Sequence, residues 1–245
     1  MNIEYHKWYS HNLNRDMELK VYGSYGKPVV VFPAQGGRFF EFEDFGMLGI
    51  VQPFIDAGRI KVFTIDSVDR ESWANWSAHP ADRARRHQEY DRYFMEEFVP
   101  FVRQHCDDTN QKFLSTGVSM GGYHSCNFFF RHPDVFDALI ALSGVYKLDR
   151  FVGGYSDENI YYNEPISYLP GLNDPWYLDQ YCQSQIVICC GQGAWEDEML
   201  ADTLEIKHIL EAKSIPAWVD IWGYDVNHDW PWWKKMMPHF LDKLT

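Results

Sequence analysis

The stretch from Lys112 to Gly122, KFLSTGVSMGG, decides which fold this chain is predicted to adopt. Its first half is a short run typical of a strand, and it leads directly into a serine flanked by glycines. Gly117 and Gly121 stand two residues before and two residues after Ser119, which leaves room for a tight strand-to-helix turn. Such a turn lifts the serine side chain out of the sheet. The stretch therefore predicts a strand, a sharp turn at Ser119 and a helix over residues 120–131.

Short apolar runs alternate with helical patterns over most of the chain. Strands are predicted at residues 17–23, 28–32, 60–66, 112–117, 136–142, 185–190 and 216–222. Helices are predicted from Pro80 to Val102, at 120–131, at 200–213 and from Pro231 to the end. This alternation predicts an α/β fold with a mainly parallel central sheet flanked by helices. Residues 144–183 predict a loop-rich insertion, and residues 1–245 are expected to form a single domain.

Charge and composition argue against several classes of function. The chain has 35 acidic and 22 basic residues, and its net charge of -13 repels nucleic acid and anionic membranes. No sequence segment approaches the ~18 apolar residues of a membrane span, and the first residues do not resemble a secretory signal. The five cysteines lack metal-ligand spacing, and the sequence has no H-E-x-x-H motif. We therefore expect a soluble, cytoplasmic protein without a metal, a cofactor, a nucleic-acid partner or a membrane partner; the sequence leaves homo-oligomerisation open.

Ser119 is the predicted nucleophile of a serine hydrolase. A serine hydroxyl is a weak nucleophile, so it needs a neighbouring base and backbone donors that stabilise the developing oxyanion. The backbone N–H of Met120, at the start of the helix, is the first predicted donor. The second should come from the loop PAQGG at residues 33–37, which follows the strand 28–32. Gln35 is preferred there because it enters a glycine-flanked bend, and Ala34 is the alternative.

His228 is the predicted base. Hydrolases with this serine turn carry their triad in the order serine, acid, histidine, and five histidines follow Ser119. Four of them are predicted within helices or at a helix end: His124, His132, His208 and His239. His228 alone follows a strand in a loop, and the carboxyl ends of strands are where such a sheet places its reactive groups.

The acid should follow the strand 185–190, where the loop GQGAWEDE at residues 191–198 contains three consecutive carboxylates. Only one of them can orient the imidazole, and the others would favour the N-terminus of the next helix. Asp197 is the preferred acid, Glu196 is the next choice and Glu198 stays open.

Three segments, GVSMGG, RHPDVF and NHDWPWW, together resemble the Putative esterase family of α/β-hydrolases, which includes esterase D-like enzymes, feruloyl esterases and mycolyltransferases. The similarity runs from the strand at residue 28 to the last helix. It implies an α/β-hydrolase fold, His228 as the base and an acid in the loop that begins at Cys190-Gly191, where feruloyl-esterase-like spacing favours Asp197. The oxyanion loop departs from the family's frequent His-Gly or Asp-Gly form, and a position-by-position match indicates Gln35.

These features predict a serine carboxylesterase that hydrolyses short-chain esters, its small-molecule substrates, through an acyl-enzyme. No long apolar lid is evident, which disfavours lipase action. Four tryptophans flank the predicted catalytic loops and either line an acyl pocket or pack the loops: Trp73, Trp76, Trp195 and Trp230. An acyltransferase with the same triad and a non-catalytic binding module are the alternatives.

Overall fold

One eight-stranded sheet forms the centre of the computed structural model, which describes residues 1–108 and 110–245. The strands are β1 Ile3–Ser10, β2 Arg15–Tyr22, β3 Lys27–Phe32, β4 Ile60–Ile65, β5 Phe113–Val118, β6 Phe136–Leu142, β7 Gln185–Cys190 and β8 Trp218–Ile221. Their order across the sheet is β1-β2-β4-β3-β5-β6-β7-β8. The β1–β2 and β2–β4 pairs are antiparallel, and all other pairs are parallel. The predicted α/β fold with a mainly parallel sheet is confirmed.

Helices lie along the chain between these strands. They are α1 Glu41–Asp44, α2 Met47–Asp56, α3 Pro80–Tyr93, α4 Val99–His105, α5 Met120–Arg131, α6 Asp149–Val152, α7 Glu158–Tyr161, α8 Pro165–Tyr168, α9 Pro175–Cys182, α10 Asp197–Ala212 and α11 Trp230–Leu244. A π-helical segment, Phe94–Phe98, joins α3 to α4. The predicted insertion at 144–183 thus carries the short helices α6 to α9 and is less irregular than its composition indicates. Among the described residues, no helix combines the length and the apolar character that crossing a bilayer requires.

Three elements in the first part of the chain were not predicted from the sequence, namely β1, the short helix α1 and α2. Strand β1 forms the edge of the sheet, and most of its residues alternate between exposed and half-buried positions, so it has no continuous apolar run. Helix α2 carries Gly49 and Pro53, both poor helix formers, and is stabilised by packing its apolar face on the sheet.

The core consists of two layers, one on each face of the sheet. Because successive side chains of a strand point to opposite faces, Val29 and Val31 of β3 pack with α2 and α11. Val30 and Phe32 pack on the other side with α3, α5 and α10. The carboxyl ends of the parallel strands β3, β5, β6, β7 and β8 therefore meet at one edge of the sheet, and the loops that follow them form the candidate site.

Candidate active site

Ser119 occupies the sharp turn between β5 and α5. Its backbone angles, φ 56° and ψ -122°, lie in a region that L-residues rarely adopt, and such strain is concentrated at functional sites. A Cβ at Gly117 would lie 2.3 Å from the carbonyl oxygen of Gly121, and a Cβ at Gly121 would lie 2.3 Å from the carbonyl oxygen of Phe32. Both flanking positions therefore require glycine, and the turn packs directly against the end of β3.

His228 lies against this serine. Its Nε2 is 2.9 Å from Ser119 Oγ, and its side chain is 16% exposed, so solvent reaches the pair. The loop after β8 is held to the loop after β7 by backbone hydrogen bonds, since the N–H of His228 donates to Ala194 O at 3.0 Å and that of Gly193 donates to Val226 O at 2.8 Å. The two loops thus form one rigid unit behind the serine.

Glu196 is the carboxylate behind the imidazole. Its Oε2 is 3.2 Å from His228 Nδ1, and its side chain is completely buried. The expectation that Asp197 occupies this position is corrected by the structure: Asp197 is exposed and begins α10. Trp195, with φ 68°, turns the chain just before these residues. Glu196 then lies beneath the strand ends, whereas Asp197 lies on the cavity wall.

Two side chains whose roles the sequence did not indicate contact the buried carboxylate, Ser143 and Cys190, and a third, Trp233, holds Ser143. Ser143 donates to Glu196 Oε1 at 2.6 Å, and Trp233 Nε1 donates to Ser143 Oγ at 3.0 Å. The thiol of Cys190 lies 3.4 Å from Glu196 Oε2, and burial raises its pKa, so it stays protonated and can donate. Ser143 directly follows the last residue of β6, and that position at a carboxyl strand end was the available sequence signal.

Gln35 and Ala34, the two candidates for the second oxyanion donor, differ in whether their backbone N–H already has an acceptor. The N–H of Ala34 donates to Glu41 Oε2 at 2.7 Å, so it is committed to that carboxylate. In the described chain, the N–H groups of Gln35 and Met120 have no acceptor, and both residues line the same cavity as Ser119. Burial raises the pKa of Glu41, a residue whose carboxylate holds the loop after β3 in place.

The other histidines near the helix α5 are engaged elsewhere. His124 Nε2 is 2.8 Å from Asp69 Oδ1 in a buried pair, and His132 Nε2 is 2.7 Å from Asp91 Oδ1. Asp69 also accepts the N–H of Gly36 at 3.4 Å. This buried pair therefore connects the helix that follows Ser119 to the loop that contains Gln35.

An open cavity of about 490 Å³ lies over Ser119. Its lining residues are Gln35, Ser119, Met120, Val145, Arg150, Phe151, Trp195, Asp197, Glu198, Met199 and His228. Arg150 and Glu198 form an ion pair at 2.8 Å, which makes part of the wall polar.

Of the four tryptophans that flank the loops, only Trp195 lines this cavity, and it is 83% exposed. Trp73 is fully buried in the core, and Trp230 stacks on Phe45 with ring centroids 4.5 Å apart. Trp76 stacks on Phe151 at 5.7 Å and so supports the cavity wall from outside. For Trp73 and Trp230, the packing interpretation is the one that agrees with the structure.

The family model described as "Putative esterase" matches residues 10–244. The chain belongs to the Putative esterase family. This esterase is an enzyme of the carboxylic ester hydrolase class, as the sequence predicted. No curated protein matches its sequence.

Solved structures share the fold of this esterase over its whole length. A ferulic acid esterase is similar with a TM-score of 0.77 and 14% identity, covering 100% of this chain and 99% of that chain. Fluorophosphonate-binding serine hydrolase F of Staphylococcus aureus has a TM-score of 0.73 and 16% identity, with 99% and 97% covered. An S-formylglutathione hydrolase from Staphylococcus aureus has a TM-score of 0.70 and 16% identity, with 99% and 96% covered. The α/β-hydrolase fold is thereby confirmed.

Proposed function

We propose that this esterase hydrolyses short-chain carboxylic esters through an acyl-enzyme on Ser119, with His228 as the base and Glu196 as the acid that orients it. The observation that carries the proposal is the continuous line from Ser119 Oγ to His228 Nε2 at 2.9 Å and from His228 Nδ1 to Glu196 Oε2 at 3.2 Å. A nucleophile bonded to a base that is itself oriented by a third group is the arrangement that activates a serine.

The reaction proceeds in two halves. Ser119 Oγ attacks the ester carbonyl carbon while His228 Nε2 accepts the hydroxyl proton, and the tetrahedral intermediate then expels the alcohol, which takes that proton. Water next gives its proton to His228 and attacks the acyl-enzyme carbonyl, and collapse returns the proton to Ser119 Oγ and releases the acid. Glu196 orients the imidazole and stabilises the imidazolium that forms in each half.

The N–H groups of Met120 and Gln35 are proposed to hold the oxyanion. Met120 begins α5, so its N–H is one of the helix's unpaired first-turn donors, and the helix dipole favours negative charge there. Gln35 faces the same cavity from the loop after β3, and that loop is held by Glu41 and Asp69.

The preference for short acyl chains is inferred from the cavity. Its volume of about 490 Å³ falls within the roughly 300–1,000 Å³ typical of small-molecule sites. The apolar part of its wall comes from Met120, Val145, Phe151 and Met199, whereas Asp197 and the Arg150–Glu198 pair make the rest polar. A long alkyl chain would have to lie against charged groups, which is unfavourable.

A series of p-nitrophenyl esters tests this preference. We expect kcat/KM to be highest for acetate or butyrate and to fall by about tenfold or more for octanoate and dodecanoate, a loss of about 1.4 kcal/mol of transition-state binding. The measurement is initial-rate kinetics below the micellar concentration of each ester. A kcat/KM that rises steadily to dodecanoate would contradict the short-chain assignment while leaving the serine mechanism intact.

Ser143→Ala tests whether the hydrogen bond to Glu196 helps to orient the acid. Hydrogen bonds to charged groups are worth about 1.5–3 kcal/mol, so we expect kcat/KM on p-nitrophenyl acetate to fall by about tenfold or more. Trp233→Phe is the control: it removes the donor to Ser143 but keeps the bond from Ser143 to Glu196 and an aromatic ring against His228, so its effect should be smaller. Full activity of Ser143→Ala would show that the acid is held without this bond.

A cytoplasmic location is part of the proposal. All five cysteines are free in the structure, which suits a reducing compartment. Cys182 is exposed, and a free exposed thiol is more easily kept in such a compartment.

A further inference from the structure

Two histidines and a glutamate meet at the edge of the sheet, away from the cavity over Ser119. Glu4 and His6 lie two residues apart on β1 and therefore on the same face of the strand, and His105 is the last residue of α4. Glu4 Oε2 is 3.2 Å from His6 Nε2 and 3.0 Å from His105 Nε2. One potential ligand atom from each of the three residues lies within 4.8 Å of the other two.

The spacing of Glu4 from each histidine is close to that of two ligands of a tetrahedral zinc ion. Zinc binds imidazole nitrogen and carboxylate oxygen at about 2.0–2.2 Å, so two ligand atoms of a tetrahedral site lie about 3.3–3.5 Å apart. The observed separations of 3.2 and 3.0 Å require only a small outward movement of each side chain. Two histidines and a carboxylate are also a known ligand set for zinc with a water in the fourth position.

Aromatic residues pack against the two imidazole rings of the cluster. The His6 ring lies against Phe101 at 4.9 Å, and the His105 ring lies edge-on to Phe63 at 5.6 Å. Lys61 Nζ donates to the carbonyl oxygen of His105 at 3.0 Å and so holds the end of α4.

The cluster is accessible to an ion. The side chains of Glu4, His6 and His105 are 35%, 29% and 16% exposed, which leaves an entry path and room for a water ligand. We infer that Glu4, His6 and His105 form a binding site for one Zn²⁺, which joins the edge strand β1 to α4. Strands β2, β4 and β3 separate β1 from β5, which carries Ser119, so the ion would stabilise the fold and take no part in ester hydrolysis.

Zinc titration of the full chain after chelator treatment tests the site. We expect one Zn²⁺ to bind per chain by calorimetry, and Tm to rise by about 5–10 °C at about a hundredfold excess of free Zn²⁺ over Kd. Co²⁺ should bind to the same residues and give the visible absorption of a four-coordinate site. The kcat/KM for p-nitrophenyl acetate should not change with Zn²⁺. Absence of Zn²⁺ binding would therefore contradict only the metal site, and absence of esterase activity would contradict only the proposed function.

Variants assign the ion to the three residues. His6→Gln and His105→Gln should each weaken Zn²⁺ binding by at least tenfold, whereas His11→Gln, which removes an exposed histidine just after β1, should not change it. Glu4→Gln keeps the shape of the cluster but removes the carboxylate ligand, so it should also weaken Zn²⁺ binding. It provides the test if a histidine variant does not fold. The site is overturned if binding is not saturable up to about 1 mM Zn²⁺, if it is unchanged in His6→Gln and His105→Gln, or if it disappears only in Cys182→Ser.

Discussion

Ser119→Ala is expected to reduce kcat on p-nitrophenyl acetate by about 10⁴-fold or more and to abolish covalent labelling by a fluorophosphonate. Loss of the nucleophile of a serine triad costs about 10⁶ in a well-studied protease, and the activity that is left there comes from the oxyanion donors and substrate binding. Here Ser119 Oγ is the hydroxyl that lies 2.9 Å from the base. The measurements are steady-state kinetics and mass spectrometry of the labelled protein.

Ser184→Ala is the matched control for this prediction. It removes a serine hydroxyl at the amino end of β7, whereas Ser119 lies at the carboxyl end of β5. Its kcat should stay within about twofold of the wild type. The substitution lies away from the cavity over Ser119, and surface substitutions of this kind also change the free energy of unfolding little. Ser119→Ala with full activity would refute the proposed mechanism. Ser119→Gly adds a structural check: glycine adopts φ 56° and ψ -122° without strain, so this inactive variant should have a higher Tm than Ser119→Ala.

Glu196→Gln and Asp197→Asn should have very different kcat values. The two residues are adjacent, and each substitution removes one carboxylate charge. We expect Glu196→Gln to lower kcat by about 10²–10⁴-fold, because a neutral amide neither selects the right imidazole tautomer nor stabilises the imidazolium. Asp197→Asn should keep kcat within about threefold, since Asp197 lies on the cavity wall and not behind His228. The measurement is kcat and KM for both variants on p-nitrophenyl acetate.

The thermal stability of the two variants supplies the control. Glutamine has the same shape as glutamate and can still accept the hydrogen bond from Ser143, so Glu196→Gln should fold and bind substrate with a similar KM. If Asp197→Asn lost activity and Glu196→Gln kept it, Asp197 would be the acid and the sequence-based choice would be restored.

Local sequence patterns predicted several elements to the residue. The helix α5 and the strands β6 and β7 have the predicted bounds. Helix α5 ends at Arg131 because His132 precedes Pro133, and a proline disfavours the α conformation of the residue before it. Strands such as β6 are buried on both faces and therefore have apolar runs that are easy to find. Strand β1 lacks such a run, because its position at the sheet edge leaves much of it in contact with solvent.

The sequence by itself determined the α/β fold and the turn at Ser119, and it singled out His228 as the expected base. Each of these depends on short-range chemistry: glycine where no Cβ fits, proline where a helix stops, and a histidine in a loop after a strand. It favoured Asp197 over Glu196, because local spacing does not show which of two adjacent carboxylates turns inward. The tertiary structure places Glu196, and not Asp197, against the imidazole, since the left-handed turn at Trp195 and the bonds between the loops after β7 and β8 direct Glu196 toward it.

Other contacts also required the folded chain. Ser143, just after β6, bonds to Glu196 and accepts a bond from Trp233 of α11, and Glu4 meets His105 across 101 residues of sequence. Hydrogen bonds and metal ligation act over about 2–3 Å, so they depend on where distant segments come to lie and not on local spacing. The strained serine turn could therefore be predicted from the sequence, whereas the carboxylate behind His228, the groups that hold it and the cluster of Glu4, His6 and His105 appeared only once the strands were assembled.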